Sequence, residues 1–308
     1  MKNVIDALIY RFIRVFFIII GLIPARAAAR LSSVLGRIWF VVDRRHRKVA
    51  INNLTIAFGD EMSNVAIRRL ARRNFIFLAS ILFDIGWLVR VKKKDARPLF
   101  TIRGLDHLKA ARKKGKGVLI LTAHFGNWEL LIMAADLIGM PMSAVYRPLD
   151  FKPLNRFFVE LRGRFGAKMF PKAGASLGIL RSLRKNELVG ILLDQNANLR
   201  TGVFVDFFGK QACTNKGLSM LARSTGAPVI PAFLVKHGGR FHVEFGPEIP
   251  TSRTGNLNAD ILTDTRNYNH VLESIIRKYP EQWFWVHNRW KTRPPGPGAG
   301  KTNTENDP

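Results

Sequence analysis

Hydrophobic and polar positions alternate in three different rhythms along the chain. Residues 15–23 are apolar without a break, and Ala7, Leu8, Ile9, Phe12 and Ile13 extend the stretch upstream, past Arg11 and Arg14. A spanning helix needs about 20 mostly apolar residues. This segment reaches that length only if both arginines carry their charges to the headgroups along their aliphatic stems. The pattern predicts a membrane anchor or interfacial helix over 1–30. A cleaved leader competes with it, but its processing site, Ala25-Arg26-Ala27, would contain an arginine and its apolar run starts late. A buried core helix is the third reading. Basic residues flank the run on both sides, so the positive-inside rule leaves the orientation open. The lysines and arginines downstream favour a cytoplasmic body.

From 37 to 73 the chain is basic with helical spacing and includes the charge run Asp43-Arg44-Arg45-His46-Arg47-Lys48. Over 67–88 apolar residues recur every three or four positions, which predicts an amphipathic helix. Lys92-Lys93-Lys94 reads as a solvated face; beside an anionic bilayer each residue would add about 1 kcal/mol of attraction. After Gly104 the rhythm changes. Residues 117–122 (GVLILT) form a short continuous apolar run, the signature of a buried strand. Further strands are expected at 142–146, 188–193, 229–235 and 241–245. Helices are expected at 130–138, 155–164, 176–183 and 216–224. Strands alternating with helices predict an α/β fold with both sheet faces covered. The domain is expected over 31–293, followed by a Pro-, Gly-, Asn- and Thr-rich tail, 294–308, expected to be disordered.

Composition narrows the function. The hydrophobic fraction of 47% excludes wholesale disorder. A single cysteine excludes an internal disulfide framework and a Cys-based zinc site. Lysine and arginine total 49 against 22 acidic residues, a net charge of +27. Such a chain works beside polyanions: nucleic acid, an anionic membrane face, or an acidic substrate or partner.

Candidate chemistry lies where GVLILT runs into Ala123-His124-Phe125-Gly126-Asn127-Trp128-Glu129. Ligand and catalytic groups of α/β sheets gather at the carboxyl ends of strands, where His124 falls. Gly126 permits a tight turn, and Asn127 is placed to cap the next helix. On one continuous helix His124 and Glu129 would point about 140° apart. A turn between them lets Glu129 fold back to hold the imidazole, which gives a base and an orienting carboxylate. The bland alternative is a histidine at a strand end and a glutamate facing water. The pattern is neither a nucleophile elbow nor a zincin motif.

The form HFGNWE after an apolar strand resembles the signature of the bacterial lipid A late acyltransferases. The run Pro280-Glu281-Gln282-Trp283-Phe284-Trp285-Val286-His287-Asn288-Arg289-Trp290-Lys291-Thr292-Arg293-Pro294 resembles that family's C-terminal block. Val145-Tyr146-Arg147-Pro148, Arg162-Gly163-Arg164, Leu193-Asp194-Gln195 and 203–209 fall between them in the expected order. The resemblance implies a glycerolipid-acyltransferase-like mixed sheet flanked by helices, with an N-terminal anchor helix. It implies an inner-membrane enzyme facing the cytoplasm, of the lauroyl or myristoyl type. Such an enzyme moves a fatty acyl group from acyl carrier protein, or in some members coenzyme A, to a hydroxyl of an anionic lipid A precursor. It implies His124 as general base, Glu129 as its orienting partner, and Arg164 and Asp194 in the site, with Arg147 against a phosphate or the acyl donor. No metal and no redox cofactor is needed, because the thioester is already activated. Leu130, Ile132 and Met133, just after the motif, are nominated to line an acyl groove. The same chemistry on another glycolipid or a phospholipid remains an alternative. A non-catalytic basic protein on membranes or nucleic acid is a more distant one, and no nucleic-acid-binding signature is present.

Overall fold

The computed structural model describes residues 2–140 and 142–295. All of the expected disordered tail beyond Pro295 therefore lies outside the described residues. The N-terminal part is helical: α1 (Lys2–Ile20), α2 (Ala25–Val42), α3 (Arg44–Phe58) and α4 (Asn64–Arg90). Local chemistry sets the boundaries. Asp43 accepts the His46 N–H at 3.0 Å to start α3, and Ser63 accepts the Ala66 N–H at 3.3 Å to start α4.

The expected single anchor over 1–30 is two helices meeting at 116°, and residue 30 falls inside α2. Among the described residues no single helix is long and apolar enough to cross a membrane; only the bent pair α1–α2 is, by length and composition. Glycines let these helices approach closely. A Cβ on Gly21 would lie 2.1 Å from the Gly86 carbonyl oxygen, and one on Gly36 would lie 2.4 Å from the Ile76 Cα. The outer faces expose Leu8, Phe12, Val15 and Ile19 on α1 and Val34, Ile38 and Val41 on α2.

The remainder is α/β. After a short α5 (Lys93–Ala96) come β1 (Phe100–Arg103), α6 (Leu105–Arg112), β2 (Val118–Thr122), α7 (Trp128–Leu137) and β3 (Met142–Tyr146). Next are α8 (Lys152–Gly163), β4 (Lys168–Pro171), α9 (Ala175–Arg184) and β5 (Leu188–Leu192). A hairpin of β6 (Gly202–Phe207) and β7 (Lys210–Asn215) precedes α10 (Gly217–Thr225), β8 (Val229–His237), β9 (Arg240–Phe245) and α11 (Leu257–Lys278).

Seven strands form one sheet in the order β1-β9-β8-β2-β5-β3-β4. Only β8 and β9 pair antiparallel in it, so the sheet is mixed, as expected. β2 sits at its centre, buried at all five positions, because helices cover both faces. The carboxyl ends of β2, β3, β4, β5 and β8 share one edge. α1 packs across α8: the Phe17 and Phe157 rings stack at 4.7 Å, and the Tyr10 hydroxyl donates to Glu160. The first helix is therefore part of the packed body.

Candidate active site

The site begins where β2 stops. Gly126 turns the chain with φ +57°, and a Cβ there would lie 1.6 Å from the Leu234 carbonyl oxygen, so only glycine fits. Asn127 does not cap α7 as expected. It is buried, and its Nδ2 reaches Asp84 of α4 at 3.4 Å. Lys236 of β8 holds the same carboxylate at 2.6 and 2.8 Å, which ties α4 to the motif turn.

His124 is held by Asp194. The aspartate accepts the His124 backbone N–H at 3.0 Å and lies 2.9 Å from the imidazole Nδ1. Its second oxygen also accepts the Trp283 indole N–H at 2.8 Å. Burial alone would push the Asp194 carboxyl up. The His124 charge and these hydrogen bonds outweigh it and leave the group below its usual range. With Nδ1 engaged, Nε2 is the free ring nitrogen; it faces the exposed Gln195 side chain, 3.5 Å away. A buried carboxylate that fixes tautomer and orientation, with the far nitrogen open, is the geometry of an acid–base histidine.

The C-terminal block forms the wall beneath the motif. The Gly126 N–H donates to the Gln282 carbonyl at 2.9 Å, and the Phe284 N–H donates to the His124 carbonyl at 3.0 Å. That use of the Gly126 N–H removes it as a donor to substrate. Trp128 lies edge-on to the His124 ring at 5.1 Å, and Phe284 flanks it at 6.0 Å. The block is clamped from behind. Asn74 donates to the Glu281 and Trp283 carbonyls at 2.9 and 2.6 Å, and Asn53 donates to those of Trp285 and His287, both at 2.7 Å. His287 accepts the Asn196 N–H on Nε2 at 3.0 Å, which fixes the loop after Asp194. Arg289 is fully buried, and desolvation lowers its pKa to about 10. It donates to the Cys213 carbonyl at 2.8 Å and the Thr214 hydroxyl at 2.5 Å.

Glu129 does not hold the imidazole. Its carboxylate takes a two-point contact from Arg162, at 2.8 and 2.6 Å, and the Trp128 indole N–H at 3.1 Å. Burial opposes the Arg162 charge, but the paired carboxylate keeps its pKa raised. Arg164, expected in the site, instead donates to the Leu88, Val89 and Val91 carbonyls and finishes α4. Arg147 is exposed just beyond β3, on the edge that carries His124. Leu130, Ile132 and Met133 are buried in the core. The structure therefore brings His124, Asp194, Trp283 and Phe284 together, with Glu129 and Arg162 joined to them through Trp128. The run Arg162-Gly163-Arg164 does not by itself distinguish its two arginines; in the fold Arg162 faces inward from α8 to Glu129, and Arg164 turns to the end of α4.

The chain matches the family model described as bacterial lipid A biosynthesis acyltransferase over residues 3–292. It belongs to that family. A lipid A biosynthesis acyltransferase of Haemophilus influenzae is 28% identical over 288 residues, 91% of this chain and 87% of the relative. A lipid A biosynthesis lauroyltransferase of Escherichia coli K12 is 29% identical over 280 residues, 89% and 88% of the two chains. A phosphatidylinositol mannoside acyltransferase of Mycolicibacterium smegmatis is 27% identical over 191 residues, 60% of each. Membership makes this lipid A acyltransferase family protein an enzyme of acyl transfer, as the resemblance implied.

Proposed function

We propose that the protein transfers a fatty acyl group from acyl carrier protein to a hydroxyl of a lipid A precursor at the cytoplasmic face of the inner membrane. The observation that carries the mechanism is the His124–Asp194 pair at the carboxyl end of β2. His124 Nε2 removes the acceptor hydroxyl proton as the oxygen attacks the thioester carbonyl. Asp194 keeps Nδ1 protonated and steadies the imidazolium that forms. The tetrahedral intermediate then expels the carrier thiolate, which takes up the proton from His124. α7 opens at Trp128 beside the histidine, and its first-turn N–H groups favour the developing oxyanion. The charge of +27 suits an anionic glycolipid, an acidic carrier and an anionic bilayer alike.

The test is acyl transfer by purified protein from radiolabelled acyl carrier protein to a lipid A precursor, with the acyl coenzyme A thioester as a parallel donor. Absence of transfer from either donor overturns the reading. A second acceptor class, mannosylated phosphatidylinositol, is favoured by the mannoside acyltransferase relatives. The same assay with that acceptor decides between them.

A further inference from the structure

Outside α1 and α2 few large apolar side chains are exposed, and four of them are grouped by topology. Leu149 and Phe151 follow β3, Leu177 lies in the first turn of α9 after β4, and Leu199 lies in the loop after β5. Their exposures are 43, 50, 66 and 60%. β3, β4 and β5 end on the sheet edge where β2 delivers His124. Each tip has an exposed basic neighbour: Arg147 and Lys152 around Leu149 and Phe151, Lys172 ahead of Leu177, and Arg200 beside Leu199. The only exposed acidic residue within these segments is Asp150.

The tips are set by fixed turns. The Leu149 N–H donates to Asn155 Oδ1 at 3.0 Å, which ties its loop to α8. The Asn198 side chain accepts the Thr201 N–H and hydroxyl at 3.0 and 2.9 Å, closing the turn that carries Leu199. A single exposed apolar side chain is ordinary, but four grouped on one sheet edge, each beside a cation, form a pattern that asks for a partner.

We propose that this edge inserts into the headgroup layer of an anionic bilayer, as a second membrane contact distinct from the α1–α2 face. Separate apolar tips, each beside a cation, suit a fluid layer that closes around every side chain while anionic headgroups meet the arginines and lysines. A folded protein partner would need a fixed pocket opposite each tip. The inserted edge sets His124 near the depth of headgroup hydroxyls, so a lipid acceptor need not leave the membrane. The proposal rests on the reading of His124 as the reacting centre, but its test does not measure acyl transfer.

Cys213 is buried, so a cysteine introduced at the surface is the accessible thiol. Nitroxide labels are placed at Phe151→Cys and Leu199→Cys in the full chain. A control label goes to Leu257→Cys, exposed on α11 after the loop at the opposite edge, where Ile249 pairs with Val229. The probe is vesicles of phosphatidylethanolamine with phosphatidylglycerol. Labels at 151 and 199 should gain oxygen accessibility and lose accessibility to a water-soluble nickel chelate, while the label at 257 stays aqueous. Leu149→Asp with Phe151→Asp should lower vesicle partitioning in high salt by roughly tenfold. If labels 151 and 199 stay aqueous on chains that float with vesicles, the proposal is overturned and α1–α2 hold the membrane alone. Protection of those labels by acyl carrier protein without vesicles would also overturn it, and would make the edge a protein-docking face. Inserted labels on a chain that transfers no acyl group would sink the functional reading and leave this one standing.

Discussion

The Gln282 carboxamide pairs with the main chain of Lys236, accepting its N–H at 3.0 Å and donating to its carbonyl at 2.9 Å. β8 outruns β2, whose pairing with it ends at Leu121 and Pro231. One side chain thus takes the place of the missing strand, and its backbone carbonyl holds Gly126. Gln282→Ala leaves the N–H and carbonyl of half-buried Lys236 without protein partners, at up to about 1–3 kcal/mol each. The expected result is a loss of several kcal/mol by denaturant titration together with lower turnover. Gln282→Glu, which buries a charge and sets a carboxylate oxygen against the Lys236 carbonyl, should cost at least as much.

Turnover should depend on His124 and Asp194 as one unit. His124→Ala is expected to lower the single-turnover rate by about 10²–10⁴. Asp194→Asn keeps the shape but loses the charge that steadies the imidazolium, and should fall in the same range. The double variant should be little worse than His124→Ala alone, because the carboxylate acts through the ring. Multiplicative losses would show that the two act separately. A carboxyl held below its usual value adds stability above about pH 4 that is lost as pH falls through the depressed value. Wild type should therefore lose more stability on acidification in that range than Asp194→Asn.

Two arginines of one short run should behave differently. Arg162→Ala strands the buried Glu129 carboxylate, a change worth about 3–5 kcal/mol. It should also remove activity, and Arg162→Lys should restore little, since the two-point contact needs the guanidinium. Arg164→Ala should cost about 1–2 kcal/mol of stability through the end of α4 and leave turnover per folded molecule near normal. Melting curves read beside turnover separate the two.

The His287 imidazole should make the site loop sensitive to acid. Burial pushes its pKa down; Asp194 pulls it up, and His124 and Arg289 push it further down. The unfolded chain therefore takes up this proton first, and stability contributed by neutral His287 is lost as pH drops below about 6.5. Protonation also removes the acceptor for the Asn196 N–H. Melting temperature against pH should fall in wild type over that range and fall less in His287→Gln, which keeps an acceptor and does not titrate.

Gly126→Ala is expected to destroy the site outright. Its left-handed backbone and the Leu234 carbonyl leave no room for a methyl group. Soluble yield and near-ultraviolet circular dichroism are the measurements, with Gly139→Ala, where a Cβ meets nothing within 4 Å, as the control for a positive φ alone.

The central strands were legible because burial on both faces writes itself as a continuous apolar run, and β2 ends within one residue of the motif it positions. α11 was not legible: its buried face includes Asp260, Asp264, Thr265 and Asn269, so apolar periodicity is diluted over a long helix. The β6–β7 hairpin was missed for a related reason. Its two-residue turn, Phe208-Gly209, has positive φ at both positions, which the usual Asn-Gly signature would have announced. β1 and β4 are only four residues long. At the site, His124 followed from its place at a strand end, and Asp194 from resemblance. Their contact did not, because it depends on β5 lying beside β2, seventy positions along the chain. Glu129 was nearer in sequence and was therefore assigned the orienting role that the sheet gives to Asp194.

The clamp that Asn53 and Asn74 place on the C-terminal block has a consequence for timing. The helices proposed to meet the bilayer leave the ribosome before His124, and His124 well before Phe284. Until the block arrives, the edge of β8 is open, Asp194 lacks the Trp283 indole, and the main chain under His124 is unbraced. The helical part can thus fold while the chain is chemically inert, and the site is complete only when the C-terminal block docks.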